Sequence, residues 1–384
     1  MNQGWVRKKL KDCFKLKSGD GLTAKNMIPG DYPVFGGNSQ TGTHNTFNLS
    51  GDNIIVGRVG ALCGNARHIT ENIWLTDNAF KIMDKKYEFD NNFLTYLLNY
   101  NNLRSFARQA AQPVISNSSL KDLELDFPTD VEEQKRITAI LDQAFDDLEQ
   151  TRAKTEQNLK NARELFDSYL QQVFSQKGEG WVESELHVVS KDLLQGINTS
   201  TDKTVFVDSG IPILQAKELA NRSLNLLKCK FVSVKDFEDV NDRYKPNKGD
   251  LLLNNIGSSL GRCVCVDWDF AFTIAWNVMR IVPNRDIILP EYLRYVISSP
   301  LFQKTIWSKT KGVGMPFISK KNLIEIKVSY PSLKSQLDIV EALDDVHKET
   351  TQLIGLYQTK LDCLEELKKS ILQKAFSGEL NAKA

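Results

Sequence analysis

Between positions 132 and 177 the chain has neither glycine nor proline, and a stripe of apolar and small polar residues recurs at alternating steps of four and three. It runs through Ile137, Leu141, Ala144, Leu148, Thr151 and Thr155, then Asn158, Ala162, Leu165 and Tyr169. The same register returns 202 residues later, from Ile339, Leu343, Val346, Thr350 and Leu353 to Leu364, Leu367 and Ile371. This spacing predicts two long helices with a coiled-coil seam that keeps several polar positions. Asp130 with Glu133 reads as a capping box opening the first helix, and Ser175–Gly180 and Gly378 read as the two stops. Gly355 is the one helix breaker inside the second, at a cost of about 1 kcal/mol relative to alanine. Each helix of about 44 residues would span roughly 65 Å at 1.5 Å per residue. A lone helix would leave its seam in water, so the two are expected to pair. An antiparallel pair, the arrangement chosen here, would put a globular domain at each end of a rod. The stripe widens where Leu165-Phe166, Tyr169-Leu170 and Val173-Phe174, and later Ile371-Leu372 and Ala375-Phe376, are adjacent apolar pairs. Two readings stay open for Phe166, Leu170, Phe174, Leu372 and Phe376: packing on the chain's own globular domains, or docking of another subunit's helices.

Ahead of each helix the period is strand-like, and the pattern is said twice. GWV at 4–6 returns at 180–182, and Gly51-Asp52 before an apolar strand returns as Gly249-Asp250. VGALCG (Val59 to Gly64) matches IGSSLG (Ile256 to Gly261), and Asn78 matches Asn277. QPVISNSSLKDLELDFP, Gln112 to Pro128, reappears 203 residues on as MPFISKKNLIEIKVSYP, Met315 to Pro331. The expected fold is therefore α+β: two pseudo-repeated mixed domains, 1–130 and 178–331, joined by two long helices, 131–177 and 332–384, forming an antiparallel coiled coil.

Composition changes this picture little. Among 384 residues, 41% are hydrophobic and 25% charged, ordinary for a globular protein. No stretch approaches the ~20 apolar residues of a membrane helix, and MNQGWVRKKLKDC lacks a signal-peptide core, so a cytoplasmic, membrane-free protein is expected. Net charge is +1. The globular parts are slightly basic, with 15 Lys+Arg against 13 acids in 1–130 and 20 against 17 in 178–331, while each helical segment carries 7 against 9. That asymmetry is compatible with nucleic acid. The six cysteines form no CxxC and the four histidines offer no ligand spacing, so no metal site is expected.

Catalytic motifs are missing. There is no P-loop (GSSLGR, Gly257 to Arg262, has the wrong spacing), no GxGxxG, no HExxH and no GxSxG. Pro-Pro never occurs, which excludes the NPPY-type motif of adenine methyltransferases. Asp130 with Glu133-Gln134-Lys135 imitates a nuclease triad, but helix capping accounts for it. The rivals to a DNA-recognition role are thus a single-chain methyltransferase or nuclease, which these absences oppose, and a coiled-coil scaffold without nucleic acid. A scaffold leaves the matched domains unexplained. Their glycine-punctuated loops YPVFGGNSQTGTHN (Tyr32 to Asn45), RQAAQPVISNSS (Arg108 to Ser119) and SKTKGVGMPFISKKN (Ser308 to Asn322) carry side chains able to read base edges.

On YPVFGGNSQTG, GDNIIVGRVGALCG with its copy GDLLLNNIGSSLGR, GIPILQAKEL (Gly210 to Leu219), the paired P-x-I-S loops and the closing SILQKAFSGEL (Ser370 to Leu380), the chain resembles the specificity subunit of Type I restriction-modification systems. The match covers the whole chain in the family's order. The resemblance implies a non-catalytic subunit in which each domain reads one half of a bipartite site in double-stranded DNA and the helices set the spacer. It also implies two modification (methyltransferase) subunits docked on the helices, and restriction subunits that translocate and cut. S-adenosylmethionine, ATP and Mg would belong to those partners, and none to this chain. No catalytic residue carries over. The nominated base readers are Asn38, Gln40, Thr41, Arg58, Gln112 and Asn117 in the first domain. In the second they are Gln215, Lys217, Asn254, Arg262, Lys309, Lys311 and Lys320.

Overall fold

The structure, a computed structural model, describes residues 4–37, 39–108, 112–199, 204–220, 223–224, 226, 229–312 and 314–381. The chain divides into two compact units, Met1–Glu156 with Thr359–Ala384, and Gln157–Gln358. Each therefore takes one globular part together with stretches of both long helices.

The first unit is built on an antiparallel sheet in the order Lys15–Ser18, Ala79–Met83, Asn53–Gly57, Ala66–Ile69. Asn53–Gly57 is central, and its alternation divides two hydrophobic clusters. Ile54 and Val56 join the larger cluster with Phe93, Leu94 and Leu97 of the helix Asn91–Tyr100. Ile55 joins a smaller cluster with Phe35, Leu49, Ile73 and Leu75, beneath the small sheet of Tyr32–Gly36, Ser39–His44 and Trp74–Leu75. Asp90 caps the helix, its carboxylate accepting from the Phe93 N–H at 2.8 Å.

The second unit repeats the sheet in the same order: Ser190–Gln195, Val278–Pro283, Leu251–Asn254, Cys263–Cys265. Its second sheet, with Ile211–Leu214 between Lys230–Val232 and Thr273–Ile274, packs on Leu252 and Val264. Arg280 and Asp250 form a buried ion pair, Asp250 Oδ2 accepting from Nε at 2.7 Å and Nη2 at 2.6 Å. By strand register Leu252 faces Arg280 as Ile55 faces Lys81. Asp250 therefore corresponds to Asn53, one residue out of step with the Gly-Asp match seen in the sequence.

Each unit also pairs its first strand with its last: Trp5–Lys9 with Glu124–Pro128, and Val182–Glu185 with Lys327–Tyr330. The charges there are inverted between the copies. Arg7 donates to both carboxylate oxygens of Asp126 at 2.7 Å and lies 4.0 Å from Glu124. Glu183, at the matching position, is held by Lys177 and Lys327.

The long helices are Val131–Ser175 and Leu333–Phe376. In the first unit Lys368 lies over the Phe145 ring at 5.2 Å and Arg152 pairs with Glu365, so residue numbers rise along one helix as they fall along the other. In the second unit Phe166 meets His347 at 5.0 Å. The pair is an antiparallel coiled coil. Ile137, Leu141, Thr155, Ala162, Leu343 and Thr350 are buried as the seam predicts. Leu165, Leu353 and Leu367 depart from it as exposed side chains, and beside Leu165 it is Phe166 and Leu170 that turn inward instead. A straight helix drifts about 20° per heptad from the 3.5-residue repeat, and here the buried stripe passes onto the globular core.

That passage corrects the partner-docking assignment. Phe166, Leu170 and Phe174 are buried in the second unit's own core beside Tyr292 and Tyr295. Phe376 packs on Phe93 and stacks on Tyr100 in the first unit, with Leu372 half-buried beside the same core. The apolar pairs serve the chain's own domains. The capping box is also only half present: Asp130 accepts from the Glu132 N–H at 3.1 Å, but Glu133 binds Arg136, which in turn donates to the Leu380 carbonyl at 3.0 Å. Gly378, with φ of 77°, closes the second helix in the left-handed conformation its place suggested.

Candidate nucleic-acid interface

In each unit the central strand runs into a glycine-hinged turn. Gly60 and Gly64 take φ of 87° and 86°, and Gly257 and Gly261 take 80° and 88°, a region that suits glycine alone. The P-x-I-S segment then clips onto that turn. Gly60 N–H donates to Pro113 O at 3.1 Å and Ile115 N–H to Arg58 O at 3.0 Å. In the second unit Gly257 donates to Pro316 at 2.8 Å and Ile318 to Asn255 at 3.0 Å. Each clip is also bonded to the segment before it, Arg108 N–H donating to Val114 O at 3.1 Å in the first unit and Lys311 and Phe317 exchanging bonds at 3.0 and 2.9 Å in the second. A third loop joins in the first unit. A Cβ on Gly37 would stand 2.2 Å from Val59 O, so the backbone entering the Gln40–Thr41 strand lies directly on the turn.

Several nominated side chains fall at this convergence. Gln112 is exposed beside Pro113, and Gln40 and Thr41 are exposed on the strand Ser39–His44. Asn38 lies outside the described residues. Lys311 and Lys320 are exposed and Lys309 half-buried, with no carboxylate within 4.0 Å among the described residues. Arg58 is half-buried, donating weakly to Ser18 Oγ and Asp77 O at 3.4 Å over the Phe80 ring, while its buried Nε has no partner among the described residues. The second unit holds two buried acceptors there without a partner among the described residues, Asn255 Oδ1 and Asn277 Oδ1.

Other nominees serve the scaffold. Asn254 is fully buried: its amide donates to Ser259 Oγ at 2.6 Å and accepts from the Ile256 N–H at 3.2 Å, so it shapes the turn and reaches no solvent. Asn117 donates to Leu16 O at 3.0 Å, tying its short helix to the sheet. Arg262 lines a cleft of about 560 Å³ with Arg163, Gln303, His347 and Thr351, toward the helices of its own unit. Gln215 and Lys217 follow the strand Ile211–Leu214, where Lys217 lies 3.2 Å from the carboxylate of buried Glu218. Met315, 63% exposed beside the clip, escaped the sequence reading, although the 203-residue repeat matches it to Gln112. Burial pushes the thiols of fully buried Cys13 and half-buried Cys229 up to about 11 and that of half-buried Cys265 to about 12, which disfavours the thiolate.

The family model for the Type I restriction modification DNA specificity domain matches residues 2–159 and 179–361, once over each repeat. The EcoBI specificity subunit of Escherichia coli is 28% identical over 53% of this chain and 43% of its own length, so this chain matches under half of that relative. The putative type I specificity subunit S.MgeORF438P of Mycoplasma genitalium is 26% identical over 98% of this chain and 94% of its own. Among solved structures, a chain of a type I R-M system superposes with a TM-score of 0.76 at 17% identity, and the HsdS subunit from Thermoanaerobacter tengcongensis with 0.62 at 17%. Both alignments cover 98% of each chain and share its fold. With the family's domain present twice over most of its length, the chain belongs to the Type I restriction-modification DNA specificity family.

Proposed function

We propose that each unit reads one half of a bipartite site in double-stranded DNA through its glycine turn and clip, and that the paired helices set the unspecified spacer. The observation that carries this is the duplicated clip: one backbone scaffold, held by equivalent hydrogen bonds, presents different side chains in each copy. In the first unit these are Gln40, Thr41 and Gln112. In the second they are Lys309, Lys311, Met315 and Lys320. Gln suits an adenine edge, Lys a guanine edge or phosphate, and Met a thymine methyl. The chain is a recognition component and not itself an enzyme. Modification subunits supply S-adenosylmethionine chemistry, restriction subunits supply ATP- and Mg-dependent cleavage, and both act where this chain places them. With Phe166, Leu170, Phe174 and Phe376 buried internally, the modification subunits dock on the apolar side chains that the helices leave open, Leu165, Leu356 and Leu367.

The test is selection from a randomised duplex library by the chain assembled with its modification subunits. Two short fixed words at a constant spacing are expected. Gln112→Ala should relax one word only, and Lys311→Gln the other. A single contiguous word, or both words altered by either substitution, would overturn the reading.

A further inference from the structure

Three basic residues far apart in sequence are brought into one row on the sheet of the first unit. Lys17 pairs with Lys81, Lys81 with Ile55, and Ile55 with Arg67 in cross-strand register, so all four side chains project from the same face. Lys17 is exposed, and Lys81 and Arg67 are half-buried on either side of Ile55, which is itself buried beneath the small sheet. None of the three has a carboxylate within 4.0 Å or a hydrogen bond to protein among the described residues, whereas neighbouring Lys15 is paired with Asp84 at 2.9 Å. Like charges directly opposite across strands are destabilising. The second unit shows the same register neutralised: Leu194, Arg280, Leu252 and Val264 occupy the row, and Arg280 is closed off by Asp250, whose counterpart in the first unit is Asn53.

The row also adjoins the clip. Gly57 shares the face of Ile55, two residues or about 7 Å further along the strand, and a Cβ there would stand 2.6 Å from Gly37 O and 2.7 Å from Leu62 O. The loops that converge at the candidate interface therefore rest on the face carrying the basic row. We infer that Lys17, Lys81 and Arg67 form a backbone-tracking surface for DNA phosphates beside the base-reading loops of the first unit, one that the second unit lacks. Charge complementarity selects the occupant: cations without a protein partner among the described residues, emerging on either side of the covered Ile55 and beside the candidate interface, suit the spaced phosphates of a DNA strand. This rests on the DNA-reading role proposed above.

The experiment measures the salt dependence of duplex binding by the chain with its modification subunits. It compares wild type, Lys17→Gln/Arg67→Gln/Lys81→Gln, and the charge-keeping Lys17→Arg/Lys81→Arg variant. Each phosphate contact contributes about 0.9 to the slope of log K against log salt. The triple variant should lose about 2 to 3 from that slope, weaken equally on selected and mixed-sequence duplexes, and keep its base preference. The arginine variant should keep the wild-type slope. Thermal unfolding should show the triple variant folded, since its changes remove like-charge repulsion. An unchanged slope, a loss confined to one base sequence, or impaired assembly with protein partners at unchanged slope would overturn the inference. Failure of the wild-type assembly to select any duplex would count instead against the DNA-reading role, and the slope on mixed duplex would still decide the row.

Discussion

Gln134 and Gln336, 202 residues apart, hold their units together in the same way. Each is fully buried. The Gln134 amide donates to Pro128 O at 2.9 Å and Glu88 O at 3.2 Å and accepts from the Asp90 N–H at 2.9 Å. The Gln336 amide donates to Pro331 O and Ile287 O, both at 2.9 Å, and accepts from the Leu289 N–H at 2.8 Å. Each long helix is thus fastened by one side chain to the loop that starts a helix of its globular part.

Replacing either glutamine with leucine would orphan three buried backbone groups, at ~1–3 kcal/mol each. Gln134→Leu and Gln336→Leu are therefore each expected to cost about 3 kcal/mol or more in urea unfolding. A loss under about 1 kcal/mol in either would mean that the fastening is ornamental.

Glu183 gives a pH signature. Hydrogen bonds from Lys177 and Lys327 hold its carboxyl down at about 2, against an ordinary glutamate value of 4.5. A folded-state value below the unfolded one adds stability that is present above 4.5 and is lost as pH falls toward 2. The pair is partly exposed, so the gain at neutral pH is expected to be under about 1 kcal/mol. Glu183→Gln should be slightly less stable than wild type at pH 7, with the gap closing between pH 4.5 and 2. A gap that stays constant through that window would remove the ion pair as its cause.

The ruler role can be tested by length. One heptad inserted after Thr151 and another after Leu353 keeps the seam in register and adds about 10 Å at 1.5 Å per residue, roughly three base pairs. It also turns the second half-site by more than a quarter of a ~10.5-base-pair repeat, so weaker binding is expected along with a longer preferred spacer. Selection should return both words unchanged with more bases between them. The original spacer, recovered by a folded and binding-competent insertion variant, would show that something other than the helices sets the distance.

The architecture was legible because helices and turns leave short-range signatures. A glycine-free seam and glycine pairs such as Gly60/Gly64 and Gly257/Gly261 can be read by spacing alone. What covers an apolar stripe is another matter. Phe166 looks the same in sequence whether a partner or Tyr295 lies over it. Asn254 is hidden for a related reason: it sits where a fully buried strand enters a turn, and the spacing of residues does not say that its amide turns inward to Ser259. Lys17, Arg67 and Lys81 were invisible because register, not sequence proximity, unites them. The trace they left was the missing acid, Asn53 standing where the other copy has Asp250.

The inverted charges on the terminal strand pairs have a consequence for how the chain reaches its fold. Tandem repeats of one architecture risk exchanging equivalent strands while they fold. Were the Trp5–Lys9 strand to enter the second unit, Arg7 would lose Asp126 and sit diagonally from Lys327. In the reverse exchange, Glu183 would face Asp126 with Glu124 beside it. Like charges opposed across strands raise the energy of both wrong pairings. The two copies, alike in backbone, carry opposite electrostatic labels on the pairing of their first and last strands, so each wrong pairing would oppose like charges where the native one joins unlike charges.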